Sequence, residues 1–190
     1  KEKLVKTSEE IEEKIKGSEL LFGARPLPLD DARALLKPGE AILLTFLQDD
    51  QASVAFVSQR TAELWTTPAG RSDVEDLVRK IREGATSANR VFDATSAYTL
   101  FERLLGSVRK HRGQIKTLLE VPHGPLQSLP LSILLTEQPK EAASAASGQS
   151  YETFSWLARD FAVAVLPNVA ALEGQRKAEV RRAAPSPFVG

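Results

Sequence analysis

Cysteine is absent from all 190 residues. No disulfide, thiolate metal site or cysteine nucleophile can be built from this chain. Histidine is scarce. His111 and His123 are the only two, and neither has a carboxylate nearby at a ligand spacing, so a histidine-based zinc centre is not expected. Net charge is missing as well, with 25 Lys and Arg against 25 Asp and Glu. Without a positive field to hold a polyanion, nucleic acid is not an expected partner. Apolar runs stay under about ten residues, too short to cross a bilayer. The opening KEKLVKTSEE lacks the apolar core of a signal peptide. The expectation is a soluble, cytoplasmic chain without membrane contact. Its start is helix-like and has no methionine, and so reads as internal.

What is present is ordinary for a globular protein: 42% hydrophobic and 26% charged residues, in a length that suits one large domain or two small ones. Thr7-x-x-Glu10 forms a capping box for a helix over 7–16, which Gly17 ends. Residues 22–29 read as an extended, Pro-rich connector. Asp30 or Asp31 caps a short helix through Leu36, stopped by Pro38-Gly39. A β-meander follows over Glu40–Leu47, Ala52–Ser58 and Thr61–Thr66. Gln48-Asp49-Asp50-Gln51 makes the first hairpin loop and Gln59-Arg60 the second. Ser72-x-x-Glu75 predicts another capping box, with Val74, Leu77, Val78 and Ile81 as the buried stripe and Gly84 as the stop. A helix over Thr95–Leu105 buries Tyr98, Phe101, Leu104 and Leu105, and a short basic helix runs on to His111.

Ile115–Val121 reads as a strand buried on both faces. Ser128–Thr136 reads as a helix capped by Ser128, with Pro130 in its first turn. Lys140–Ser150 is an Ala/Ser/Gly run expected to be a surface loop and the preferred site of proteolytic nicking. Phe161–Leu166 is the next strand, Asn168 caps a helix through Arg176, and Pro187–Gly190 looks like a strand beginning. The second half thus has βαβ order, and the fold class expected is α/β, a helix-covered sheet with an N-terminal antiparallel meander. Three segments are expected: residues 1–29 as helix and connector, 30–114 as the meander and its helices, and 115–190 as the start of a parallel core.

Candidate chemistry is thin. His123-Gly124 follows an apolar strand, but Pro122, Gly124 and Pro125 already explain it as a turn. Ser128 could meet His123, yet it suits a helix cap, and no third member of a triad is evident. Asp30-Asp31 reads as a cap and Asp49-Asp50 as a hairpin tip; neither pair brings the further ligands that Ca²⁺ or Mg²⁺ demands. Trp65 and Trp156 read as packing anchors. Arg109-Lys110-His111-Arg112 is a local basic cluster of the kind usually found at a solvated helix end. No catalytic, cofactor-binding or metal-ligating residue is assigned.

The stretch Leu118-Leu119-Glu120-Val121-Pro122-His123-Gly124-Pro125-Leu126, followed by Leu129-Pro130 and Leu134-Leu135, resembles the start of a CHAT domain. Trp156-Leu157-Ala158-Arg159, then Val163-Ala164-Val165-Leu166-Pro167 and Leu172, resemble the family's next block. The turn Leu36–Glu40, the meander, Phe92-Asp93, Leu104-Leu105 and Gly113 match what commonly precedes it. The likeness covers about residues 28–190 in patches, and its specificity lies in the order of weak motifs. It implies a caspase-like fold of the kind that follows tetratricopeptide repeats in bacterial proteins. Active members are peptidases with a His/Cys dyad. The resemblance implies that both dyad residues would lie beyond Gly190, so none is carried onto this chain. The expected role is the non-catalytic N-terminal portion of such a module. The alternative is a protein-interaction or pseudo-enzyme module with protein or peptide partners, or one that self-associates through an open sheet edge.

Overall fold

The computed structural model describes residues 27–87, 91–139 and 151–181. The expected helix over 7–16, most of the 22–29 connector, the 140–150 loop and the strand start at 187–190 lie outside the described residues. The chain divides into two units, one of residues 36–165 and one whose described parts are 27–35 and 166–181.

The larger unit holds a mixed five-stranded sheet in the order β3-β2-β1-β4-β5. The meander is present as read: β1 (Glu40–Leu47), β2 (Ala52–Ser58) and β3 (Ala62–Thr67) are antiparallel, with Leu43 opposite Phe56 and Val54 opposite Trp65. Each turn closes on its own backbone bond, Gln48 N–H to Gln51 O at 2.8 Å and Ser58 N–H to Thr61 O at 2.8 Å. Such short connections force antiparallel pairing. Next to β1 lies β4 (Thr117–Val121), and beyond it β5 (Ala162–Val165). Both are parallel to their inner neighbour, with Glu120 level with Leu43 on one side and Val165 on the other. The molecule is therefore α/β with an antiparallel extension, as the sequence predicts.

Alternation along the strands sets the covered face. Ala41, Leu43 and Leu47 of β1, Val54 and Phe56 of β2 and Leu118 of β4 share one apolar core with the helices packed on it. Those helices are α2 (Arg71–Thr86) and α3 (Ala94–Leu105), which contribute Val74, Val78 and Ile81, and Leu100, Phe101, Leu104 and Leu105. Trp65 is the anchor expected of it: its indole N–H donates to Leu104 O at 2.9 Å, tying β3 to α3.

Several helix ends differ from the sequence reading. The helix starting at Ser72 in that reading begins at Arg71, with Gly70 at the N-cap and no side-chain cap. Ser72 and Glu75 form no box. Gly70 takes the position because a Cβ there would collide with the Asp49 carbonyl. Gly84 does not stop the helix, which continues to Thr86. It is glycine because the chain at Val91–Asp93 passes so close that a Cβ would sit 2.6 Å from Val91 O. The cap of α3 is Asp93, which accepts from Ser96 N–H at 2.9 Å and Ser96 Oγ at 2.8 Å. The basic stretch to His111 is a 3-10 helix over Gly106–His111.

The expected Ser128–Thr136 helix is not formed. Two 3-10 turns, Gly124–Ser128 and Leu131–Ile133, take its place, and Ser128 Oγ donates to Pro125 O at 2.8 Å instead of capping. Leu129, Leu131, Leu134 and Leu135 are all buried. On a 3.6-residue helix Leu129 would lie opposite Leu131, Leu134 and Leu135, and Leu129, the residue before Pro130, is held in extended conformation (φ −128°, ψ 117°), which a helix cannot continue through. Leu157–Asp160 forms a single helical turn, α4, before β5.

In the smaller unit, α1 (Leu29–Ala34) starts after Pro28, so Asp30 and Asp31 lie in its first turn and do not cap it. Acidic residues there still favour the positive end of the helix. Asn168 does cap α5 (Ala170–Arg181), accepting from Ala171 N–H at 2.8 Å. Arg176 Nε donates to Leu35 O at 3.0 Å. Among the described residues no helix is long and apolar enough to cross a membrane.

Candidate functional site

The carboxyl ends of β1 and β4 bring together the residues that the sequence singles out. β4 ends at Val121, Pro122 leads into His123 in extended conformation, and Gly124 turns the chain with φ +59°. That turn is stitched to β1 by both ends of the histidine. Its backbone N–H donates to Thr45 Oγ1 at 3.2 Å, and its Nδ1 accepts the Leu47 N–H at 3.1 Å. The ring also stacks on Phe46, with centroids 4.9 Å apart. Leu47 O in turn accepts from Arg71 Nη2 at 3.1 Å.

An imidazole that accepts a backbone N–H at Nδ1 carries its proton on Nε2. Nε2 is then a donor with no lone pair for a substrate proton, and Nδ1 is already occupied. The Ser128 hydroxyl is directed to Pro125 O and not to His123, so these two residues form no Ser–His pair. His123 is part of the fold, as the turn chemistry predicts. Its reach back to the last amide of β1 is a function that local sequence does not reveal.

Glu120 is the residue that sequence reasoning passed over. It lies in β4, the second strand from one sheet edge, is only 1% exposed, and among the described residues neither carboxylate oxygen has a hydrogen-bond partner. Burial pushes its pKa up from 4.5 to about 8, because a desolvated carboxyl favours its neutral form. The signal was available: one charged residue inside Leu118-Leu119-Glu120-Val121, in a strand read as buried on both faces.

The basic cluster is not a solvated helix end. Arg109 pairs with Glu102 at 2.5 Å and donates from Nε and Nη2 to Thr136 O, Lys110 pairs with Glu63 at 2.6 Å, and Arg112 pairs with Asp160 at 2.6 Å. The hydrogen bond from Lys110 holds Glu63 below the usual carboxylate range. His111 is buried, stacks on Phe56 with centroids 4.2 Å apart, and keeps Nε2 at 3.4 Å from Glu63 Oε1, an ion-pair distance without hydrogen-bond geometry. These residues tether the 3-10 helix to β3, to Thr136 and to Asp160. A cleft of about 380 Å³ beside them is lined by Gly39, Ser58, Arg60, His111 and Gln114 among others. The Ser58 hydroxyl there is used by its own turn, accepting from Thr61 N–H at 3.0 Å.

A second cleft, of about 320 Å³, is lined by Gly84, Ala85, Phe92, Ile133, Tyr151 and Trp156. Its rings belong to an edge-to-face cluster with Phe154, and Trp156 Nε1–H donates to Tyr151 O at 2.9 Å. Trp156 is thus a packing anchor, as expected. Asp49 and Asp50 sit exposed at the hairpin tip. Among the described residues no cluster of three or more His, Asp or Glu could hold a metal ion. No protein-family model matches the chain, and no curated protein matches it significantly.

Proposed function

We propose that this chain is the non-catalytic N-terminal portion of a CHAT-type caspase-like module, supplying scaffold and not chemistry. The observation that carries this reading is the use made of His123. The one strand-end histidine has its backbone N–H and its Nδ1 committed to β1, and the chain has no thiol for it to activate. A cysteine peptidase needs a thiolate beside a free base. The parallel order β1-β4-β5, preceded by a meander, supports the caspase-like half of the reading. The test is hydrolysis of a mixed peptide library by the purified chain, together with labelling by thiol-directed probes. The expected result is neither cleavage nor labelling. Cleavage that disappears in His123→Ala would overturn the reading.

A second reading, a protein-interaction module, is favoured by a separate observation. β5 ends the sheet among the described residues, and its Val165 is 62% exposed. Unpaired sheet edges of this composition are templates for another strand.

A further inference from the structure

β1 is paired with β4 only from Glu40 to Leu44. Thr45, Phe46 and Leu47 continue the strand beside β2, with Leu47 opposite Ala52, but on the β4 side the ladder has ended. Two bonds to the turn after β4 take its place there. His123 N–H donates to Thr45 Oγ1 at 3.2 Å, and Leu47 N–H donates to His123 Nδ1 at 3.1 Å. Arg71 holds the same strand end from α2. Its Nη2 donates to Leu47 O at 3.1 Å and its backbone N–H to Gln48 O at 2.8 Å.

One of these bonds ends on an acceptor that titrates. A neutral imidazole offers a single ring lone pair, and the Leu47 amide occupies it. A second proton turns Nδ1 into a donor facing a donor, so the closed joint admits only the neutral ring. Histidine is the side chain whose charge ordinarily changes between about pH 5 and 8. Three elements bring charged groups to the joint. From α2, Arg71 sets its guanidinium against the turn, with Nη1 3.1 Å from the position a Cβ on Gly124 would take, and Glu75 lines the cleft shared by Pro125 and Ser128. From the β1–β2 loop, Asp49 and Asp50 are exposed at the hairpin tip. From β4, Glu120 is buried and neutral below about pH 8. Among the described residues none of these carboxylates pairs with His123.

We propose that His123 is an acid-released latch on the carboxyl end of β1. On taking up a proton from solvent at Nδ1, the ring lets go of the Leu47 amide, and Phe46 loses the ring stacked on it. The Thr45 bond uses the histidine backbone and needs no change of charge, so the opening is confined to the Leu47 end. Opening takes up the proton, so the joint is closed at higher pH and released as pH falls. The inference draws on neither reading of the chain's role.

The test is NMR on the full chain from about pH 8 down to about pH 5. The His123 ring ¹⁵N shifts report the proton, and a coupling across the hydrogen bond between Leu47 ¹⁵N and His123 ¹⁵Nδ1 reports the joint. Exchange of the Leu47 amide, corrected for its intrinsic rate, is compared with that of Ala162, which is bonded to Lys116 O at 2.8 Å and reports opening of the sheet itself. The coupling should vanish in step with protonation, and Leu47 should lose protection relative to Ala162 by up to about tenfold per pH unit, the slope of one proton. Titration of Glu120 acts on the whole fold and moves both amides in the same sense. His123→Asn, whose carbonyl accepts the amide without titrating, should make the ratio independent of pH. Should that variant not fold, the coupling and the ratio in the native chain decide alone. A ring that is charged at about pH 5 while Leu47 keeps its protection would overturn the latch, as would a ring still neutral there. A pH dependence that persists unchanged in His123→Asn would assign the switch to another group and overturn it too.

Discussion

Glu120 and His123 lie three residues apart and show opposite ways of placing a polar group at a sheet's carboxyl end. His123 is fully used. Replacing it with Ala strands the Leu47 N–H and should cost ~1–3 kcal/mol. His123→Asn, whose carbonyl oxygen can take the place of Nδ1, should recover much of that loss; chemical denaturation of the two variants checks the order, and equal losses would mean the bond contributes little. Glu120 has no hydrogen-bond partner among the described residues, and its burial makes stability depend on pH. With a folded pKa of about 8 against an ordinary 4.5, the folded state holds a proton that the unfolded state has lost between these values. Stability is therefore fully present below about pH 4.5, falls as pH rises through about 8, and then levels, a change on the order of 4–5 kcal/mol from this residue alone. Glu120→Gln should flatten that slope in urea denaturation curves collected across the range. An unchanged slope would show that the carboxyl reaches water.

At the level of elements, Gly84 gives a test whose sign decides. In an ordinary helix interior Gly→Ala gains about 1 kcal/mol. Here a Cβ would press on backbone at Val91–Asp93, so Gly84→Ala should destabilise by ~1–3 kcal/mol, read as a lowered melting temperature. A stabilised variant would show that the crossing chain yields freely. This glycine also shows what sequence could and could not reveal. The meander was legible to within a residue because alternation and turn residues are local signals, and so was the stripe Val74, Val78 and Ile81. The capping box at Ser72 failed because Gly70 was demanded by a distant carbonyl, that of Asp49. The helix at Ser128 failed because Leu129, the residue before Pro130, is held extended, and the chain turns in two 3-10 segments instead. At the candidate site, Pro122 and Gly124 announced the turn. The bond from Leu47 to His123 joins residues far apart in sequence and could not be read from either. The same limit hid the partners of Arg109, Lys110 and Arg112, which come from α3, β3, Thr136 and Asp160.

In the larger unit, the described residues form a mixed sheet with β3 and β5 as its two edge strands, each carrying an exposed apolar side chain, Leu64 and Val165. At the β3 side Glu63 pairs with Lys110 and the Trp65 indole N–H donates to Leu104 O. At the β5 side an apolar strand stands outward with a buried carboxyl behind it. Core substitutions should reflect this arrangement: Leu118→Ala, at the centre of the parallel strands, should cost ~2–5 kcal/mol, whereas Asp49→Ala at the hairpin tip should change stability by less than about 1 kcal/mol. Comparable costs at the two sites would contradict the position of β4. The most direct test of the open edge is residue-resolved amide hydrogen exchange across β5. The inward amides of Ala162 and Ala164 should be protected by their bonds to β4, and the outward amides of Val163 and Val165 should exchange fast. Slow exchange at all four amides in the isolated chain would contradict a free edge.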